Sequence, residues 1–516
     1  MENKKIRTRI APSPTGFATC GNLRTALFNY LFAKKHGGEF VIRIEDTDKT
    51  RFVEGAEKYI IDALTWLGMK PDVGVKPDGT AEFRQSEMEY RSYADSLVLN
   101  GHAYYCFDTP EDIARMNELA KANGTKPGYN SSNRMSMKNS LTMNYQEYRT
   151  LIDAGVPYVI RFKMPVNTTV TFKDYVKGEI TFNTDDLDDK VIIKSDGGVA
   201  YHLANVVDDH RMGITHVLRG DEWVVSTPLH IMLYEAFGWD KPEFCHIPLV
   251  LGPDKKKLSK RRMKEYGFTV FPLACSYVDD KSGNKVDVLG FKDLGYEPDA
   301  LVNYLALLGW NPGDNREIMT MDELISSFSL ERVNNSGAIF DIVKLNSFNA
   351  TYMRAKDNMD LCNEYIMPGI VRAVNPDYTI KIYSIDELSQ ITDFAKERAV
   401  FAKDLYATVS YFFEPVVLAD DIEFKNPMDF NDVMHSFLGL YSDDKRGFSA
   451  AVIKEDLEVI SGTLGYKVGK VMPGLRMALT GGIPGPHLPE TMEILGKDES
   501  IRRIKALLEK VKKVAE

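Results

Sequence analysis

Hydrophobic and polar positions follow two styles along this chain, and the change comes near Pro298. Before it, short apolar runs alternate with helical stretches. Arg7 to Ala11 reads as a strand, and Pro12-Ser13-Pro14-Thr15-Gly16 forces a tight loop. From Asn22 onward, Leu23, Leu27, Leu31 and Phe32 recur at helical spacing. Glu39 to Ile44 forms a second strand that runs into the acidic cluster Glu45-Asp46-Asp48. Strand, glycine-bearing loop, helix, strand is the first unit of a parallel α/β sheet. Its helix start faces the carboxyl ends of the strands, where anions and adenylates bind. As pattern alone this is a candidate nucleotide site, and a loop that merely turns the chain is the plainer alternative.

Phe52 to Leu67 predicts a helix capped by Gly68, and Phe83 to Asn100 a second with a solvated charged face. Gly101 to Phe107 is a short strand, and Thr109-Pro110-Glu111 starts a charged helix. Residues 121–140 are a polar loop leading to a helix over Tyr145–Ala154. Tyr158–Lys163, Thr168–Asp174, Gly178–Asn183 and Val191–Ser195 are β-rich. Residues 100–198 therefore read as an α+β module inserted between two parts of the sheet. Buried character returns at Val199, with a helix over Thr227–Phe237 that ends at Gly238. Phe244 to Leu251 then reads as one apolar strand, as in a parallel sheet. Residues 276–295 are turn-like, and Asp280-Lys281-Ser282-Gly283 suggests a small hairpin. After Pro298 come helical stretches at 300–308, 321–328, 361–374, 385–392, 404–412, 430–440, 449–459 and 501–514. Strand signals are few there, so the last third reads as an all-helical unit. Ile501, Ile504, Leu508 and Val511 give its final helix one apolar stripe for docking on the body.

At 516 residues the chain exceeds a single core, and about three to five domains are expected. The 44% hydrophobic and 27% charged composition is that of a globular protein. No stretch approaches the length of a membrane span, and the N-terminus lacks an apolar leader, so a cytoplasmic setting is expected. The five cysteines are scattered without a C-x-x-C pair, which supports neither a disulfide framework nor a cysteine-rich zinc site. Net charge is -10. Because backbone recognition is local, a nucleic-acid partner is still open. The most basic stretch, 255–264, holds seven Lys or Arg in ten residues.

Three features point to ATP chemistry. One is the Pro12–Gly21 loop ahead of a helix. Another is the segment Lys257-Leu258-Ser259-Lys260-Arg261, whose ammonium groups suit a polyphosphate. The last is a group of polar residues near strand ends: Tyr201, Asn205, Arg219, Asp221, Glu222 and Trp223. With the blocks RIAPSPTG, ALFNYLFAKKHGGEFVIRIEDTD, YHLANVVDDHRMGITHVLRGDEW, STPLHIMLYEAFGW, KLSKR and ALLGWNPG, the chain resembles the bacterial glutamyl-tRNA synthetases. LERV, FDIVKLNSFN and GLRMALTGGIPGP extend the likeness over nearly the whole length.

The resemblance implies a class I aminoacyl-tRNA synthetase: an α/β protein with a Rossmann-type parallel-sheet catalytic core. It implies core segments at 1–95 and 200–254, an inserted acceptor-end-binding domain at 96–199, a lysine loop and stem-contact region at 255–335, and an all-helical anticodon-binding region at 336–516. Arg9, Tyr201, Asn205 and Arg219 would hold L-glutamate, with Ser13 and Glu45 near its amino group. Trp223 would lie on the adenosine side, Gly21 would let the nucleotide approach the helix start, and Leu258 would line the same region. Lys257 and Lys260 would contact the phosphates. ATP with Mg²⁺, a glutamate tRNA and in some members also a glutamine tRNA are the implied partners, and a monomer is the implied state.

The chain also departs from that pattern. Thr19, in Thr19-Cys20-Gly21-Asn22, stands where the family places the first signature histidine. Met88 occupies a usual arginine, Val199 a usual proline, Arg262-Met263 a usual Asp-Gly and Ser347 a usual aromatic. Losing one charge-stabilising donor commonly costs about 10²–10³ in rate. A weakened or non-catalytic tRNA-binding relative is therefore the alternative to an active glutamate–tRNA ligase. A glutamine-specific enzyme is disfavoured by the helical last third.

Overall fold

The computed structural model describes residues 5–278, 283–373, 381–418, 425–442, 446–485 and 487–515. They fall into two compact units, one running to residue 294 and over 298–342, the other comprising 295–297 and 343 onward.

The first unit is built on a parallel sheet. Strand Arg7–Ile10 pairs in parallel with Glu39–Ile42, Arg7 lying opposite Glu39. Helix Cys20–Lys35 makes the crossover, buries Leu23, Leu27 and Leu31, and ends on Lys34 and Lys35, which oppose its dipole. Strand His216–Gly220 lies on the other side of the opening strand. Thr215 N–H donates to the Arg7 carbonyl at 2.9 Å, and buried Asn29 Nδ2 donates from the helix to the Leu218 carbonyl at 3.1 Å. Strand Glu243–Ile247 continues the sheet in parallel, Arg219 opposite His246. Carboxyl strand ends thus gather beside the start of the crossover helix.

Several predicted elements change once tertiary pairing acts. The helix predicted over Phe83–Asn100 exists only as Arg91–Leu99. The preceding residues run along the second strand instead, Ile44 N–H donating to Phe83 O at 2.9 Å and Gln85 N–H to Ile44 O at 3.0 Å. The helix expected from Phe52 starts at Ala56, because Gly55 sits in the left-handed region at φ 79°. The predicted strand Phe244–Leu251 is broken at Pro248 into Glu243–Ile247 and Val250–Leu251. Its second piece pairs in parallel with Ala338–Ile339. Strands Cys275–Val278 and Lys285–Val288 form the hairpin suggested by residues 280–283, while Asp280, Lys281 and Ser282 lie outside the described residues.

The inserted module centres on an antiparallel sheet of Ala103–Cys106, Val159–Phe162 and Val191–Ile193. The hairpin Thr169–Asp174/Gly178–Asn183, which the pattern assigned to this module, instead extends the core sheet, Asp174 lying opposite Phe244. Alternate residues Val170 and Phe172 are buried, and the Phe172 ring meets that of Phe244 at 5.9 Å between centroids.

Among its described residues the second unit is helical. The predicted helices are present, with the 361–374 stretch divided by a π-turn over Cys362–Ile366 and Val374 outside the described residues. Ile342–Arg354, whose residues from 343 on belong to this unit, Val468–Thr480 and Leu488–Leu495 are additional; Pro473 lies inside the second of these helices and Pro489 in the first turn of the third. Leu405, Phe430, Leu475 and Ile504 are fully buried at its centre. The final helix docks as its stripe predicts, with Ile504 and Leu508 buried and Arg503 donating to the Leu479 carbonyl at 2.6 Å.

Asp189 holds the inserted module. It accepts from Tyr104 Oη at 2.6 Å and Met164 N–H at 2.9 Å, and it is the counter-charge 3.3 Å from buried Arg134. Asp189→Ala is expected to destabilise by about 3–5 kcal/mol, because it strands a buried guanidinium. Urea titration measures the loss, and limited proteolysis should cut the variant first within 100–165.

Candidate active site

A cleft of about 830 Å³ opens at the carboxyl ends of the strands. Its floor begins with the loop after Ile10. Glu45 N–H donates to Pro12 O at 3.0 Å and Val53 N–H to Pro14 O at 2.8 Å, which tie the loop to the chain beyond the second strand. Thr19 caps the helix: its N–H donates to Asn22 Oδ1 at 3.0 Å, and its hydroxyl lies 3.1 Å from the same oxygen. A Cβ on Gly21 would meet only Thr19 Oγ1, at the ordinary distance of 3.7 Å. The protein's own packing does not require glycine there, so closeness to whatever enters the cleft is the remaining physical use for it.

Behind the floor lies a buried ion cluster. Arg9 grips Asp209 with two parallel bonds, Nε to Oδ1 at 3.1 Å and Nη2 to Oδ2 at 3.2 Å. Arg43 donates to Asp209 at 2.7 Å and to Glu45 at 3.0 Å, and Asn205 Nδ2 reaches the same Glu45 oxygen at 3.3 Å. Gln85 and Tyr90 donate to neighbouring Asp208 at 2.8 and 3.0 Å. Burial by itself would raise the Asp209 carboxyl, but the two guanidinium charges outweigh it and hold its pKa below the usual carboxylate range. Arg9 and Glu45 thus face the cleft as walls fixed from behind.

Arg219 is different. It is 6% exposed, and its directly bonded partners are neutral. Nε donates to His246 Nε2 at 3.1 Å, Nη1 to His230 Nδ1 at 3.2 Å and Nη2 to Thr227 Oγ1 at 2.9 Å. Because guanidinium only donates, both imidazole nitrogens facing it must be lone pairs. His246 then carries its proton on Nδ1, 2.7 Å from buried Asp174, and His230 on Nε2, 3.1 Å from His202 Nδ1. Burial, reinforced by the Arg219 charge, pushes both His230 and His246 below the ordinary imidazole value. A buried positive charge ringed by neutral acceptors favours an anion in the adjoining cleft.

The opposite wall is aromatic and basic. The Tyr201 ring lies against that of Trp223, tilted by 32° with centroids 4.5 Å apart. Lys257 and Leu258 stand on a tight hairpin, Leu258 N–H donating to Val250 O at 2.9 Å, with Lys255 in the left-handed region at the turn. Lys257 Nζ meets Glu222 at 2.8 Å, both side chains largely exposed. Ser13 also lines the cleft. Lys260 does not line the cleft, and neither do Ser259 and Arg261 beside it or Asp221, which faces Lys177 at 3.5 Å. The short turn Lys260–Arg262 directs the Lys260 ammonium 5.0 Å above the Tyr277 ring, on the Gly16 side of the loop, where a cation–π contact holds it. Arg24, Arg43, Asp174, Asp208, Asp209, His230 and His246 were not foreseen. The available signal was a charged or imidazole residue inside an apolar run, as in VIRIED, NVVDDH and FCHIPLVL.

Comparison with known proteins gives a consistent picture. Residues 5–270 and 280–347 match the family of class I tRNA synthetases (E and Q), catalytic domain, and residues 360–508 match an anticodon binding domain. A glutamate–tRNA ligase of Amoebophilus asiaticus is 46% identical, the match covering 98% of each chain. One of Flavobacterium psychrophilum is 43% identical over 97% of this chain and 98% of its own. A crystal structure of a glutamate tRNA ligase from Elizabethkingia meningosepticum in complex with its amino acid superposes with a TM-score of 0.83 at 40% identity. It covers 98% of this chain and 99% of that one.

The buried imidazoles set an acid limit. Burial lowers His202 and His216 each to about 4, and His230 and His246 are lowered as well. Below pH 6.5 the unfolded chain binds protons that these rings refuse when folded, so their contribution is full above 6.5 and is lost as pH falls toward 4. The Tm is expected to fall from pH 7 to pH 5, and His216→Gln to flatten that slope in calorimetric scans.

Proposed function

Because the chain belongs to the class I tRNA synthetases for glutamate and glutamine, we propose that it is a glutamate–tRNA ligase, joining L-glutamate to the 3′ end of tRNA in an ATP-driven reaction. Arg219 carries the reading: like Arg24 it is a buried arginine of the cleft with no directly bonded carboxylate, but where Arg24 is spent on the backbone carbonyls of Leu308 and Pro248, Arg219 is held by imidazoles and a hydroxyl at the cleft's edge. A ligand carboxylate completes it. Arg9 offers Nη1, the nitrogen left over from its grip on Asp209, and Asn205 and Tyr201 complete the amino-acid pocket. Glu45, held by Arg43, and Ser13 meet the amino group.

With glutamate so held, a carboxylate oxygen attacks the α-phosphorus of ATP, pyrophosphate leaves, and glutamyl-adenylate forms. A hydroxyl of the terminal tRNA ribose then attacks the activated carbonyl, and AMP leaves. Positioning and electrostatics supply the acceleration. Gly21 admits the nucleotide to the helix start, Trp223 and Leu258 form the adenosine wall, and Lys257 leaves Glu222 for the phosphates. Lys260 reaches them only by leaving Tyr277. Mg²⁺ arrives with ATP, since among the described residues no three of His, Cys, Asp and Glu gather to hold an ion. Residues 96–199 bind the acceptor end, 255–335 the stem and 336–516 the anticodon. Glutamate tRNA is the substrate, with glutamine tRNA a second candidate. The enzyme works as a cytosolic monomer; among the described residues no helix is long and apolar enough to cross a membrane.

Thr19 supports a second reading, a slow or silent relative, since its hydroxyl is held by Asn22 and bears no charge. Radiolabelled glutamate transfer to purified tRNA separates the two. Transfer is expected with the native protein, a gain of about 10²–10³ with Thr19→His, and a loss of kcat/KM on the order of 10²–10³ with Arg219→Gln. No glutamyl-tRNA above background overturns the ligase reading. Normal tRNA binding with transfer appearing only in Thr19→His establishes the second.

A further inference from the structure

A second cavity, about 220 Å³, lies behind the cleft, on the far side of the buried ion cluster. Val73, Phe83, Met88 and Met212 give it apolar walls. Its polar lining is arginine together with Asp208. Two of the arginines are matched: Arg7 by Glu39, and Arg84 by Glu57. The other two are incompletely satisfied. Arg43 is 1% exposed, and its Nε has no hydrogen-bond partner, the nearest carboxylate oxygen, Asp208 Oδ2, lying 3.6 Å away. Arg211, exposed at the mouth, has the Met88 sulfur 3.9 Å from Nη1 and no carboxylate partner among the described residues. An arginine at 88 would fill part of this space and set a like charge against Arg211. Methionine leaves an apolar slot with a cation at its opening.

We propose that this cavity is a binding site for a small monocarboxylic acid with an aliphatic or aromatic body, its carboxylate on Arg211 and its body between Phe83 and Met212. Apolar walls with one cation at the mouth that lacks a carboxylate partner select that class over glutamate itself, whose two carboxylates and ammonium would leave charges buried without partners. Arg43 lines this cavity and not the active cleft, but it holds Glu45, which lines the cleft, and Asp209, which is bonded to the cleft's Arg9. Occupancy therefore shifts the amino-acid pocket. This coupling rests on the ligase reading; the binding itself does not.

Hexanoate is a suitable probe, with acetate for the headgroup alone and 1-hexanol for the body alone. Calorimetric titration of the full-length protein is expected to give one saturable site for hexanoate with Kd on the order of 1 mM, and far weaker binding of either control. Arg211→Gln and Met88→Trp, each checked for an unchanged Tm, should weaken hexanoate at least tenfold. L-glutamate should weaken it to a plateau rather than abolish it, and hexanoate should raise the Kd for glutamate by the same factor. Absence of saturable binding, or binding untouched by both variants, overturns the site. Complete displacement by glutamate overturns it too, by placing hexanoate in the main cleft. An unchanged glutamate Kd at saturating hexanoate overturns the coupling.

Discussion

A charge removed from water must be answered, and the buried arginines around the cleft are answered in three ways, Arg24 by the backbone carbonyls of Leu308 and Pro248. Arg9 and Arg43 are met by carboxylates from the same sheet and the helix behind it, Asp209 above all, 1% exposed between them. Such a cluster adds little net stability over an apolar core but is intolerant of losing a member. It therefore fixes where the strand ends and helix Tyr201–Arg211 can sit. Arg219 is answered only by imidazoles and a hydroxyl, so its charge remains available. The cleft's preference for an anion follows from that difference and not from a general excess of positive charge, since the whole chain is acidic.

The nucleotide side is assembled differently. The loop and helix start are held by backbone hydrogen bonds and a Thr19–Asn22 cap, which give shape and amide donors but no full charge. Positive charge comes instead from Lys257, an exposed side chain resting on Glu222. A phosphate drawing that lysine away exchanges one exposed ion pair for another, a small energetic step. On the proposed reading, the amino-acid subsite is rigid and pre-charged, whereas the phosphate subsite is adjustable.

Legibility of the sequence followed the range of the interactions. The opening strand, loop and crossover helix were readable because their signals are local: glycine and proline punctuation followed by a helical apolar stripe. So was the cleft membership of Arg9, Glu45, Tyr201, Asn205 and Arg219, through the motif blocks that carry them. Residues 83–90 were misread as helix because their composition permits one, whereas pairing with Ile44 is a tertiary fact. The hairpin at 169–183 was assigned to the inserted module because nothing in its alternation names the strand it will join. Arg43, Asp208 and Asp209 stand in plain view as charges within apolar runs, but apart from the Arg43–Glu45 pair their partners lie more than a hundred residues away. Lys260 follows the family motif in sequence, and only the aromatic face of Tyr277 decides where its ammonium rests.

Asp174 ends the first strand of that hairpin, and one of its carboxylate oxygens accepts from the backbone amides of Val176 and Lys177. Its other oxygen holds both the main chain and the ring of His246, whose far nitrogen receives Arg219. One carboxyl group thus clasps a β-turn on one side and orients a substrate-facing guanidinium, through a single ring, on the other. The hairpin leads by way of Thr184 to Asp189 and the three-stranded sheet, so the segment that leaves the core and returns to it carries the carboxylate that orients the ring behind Arg219.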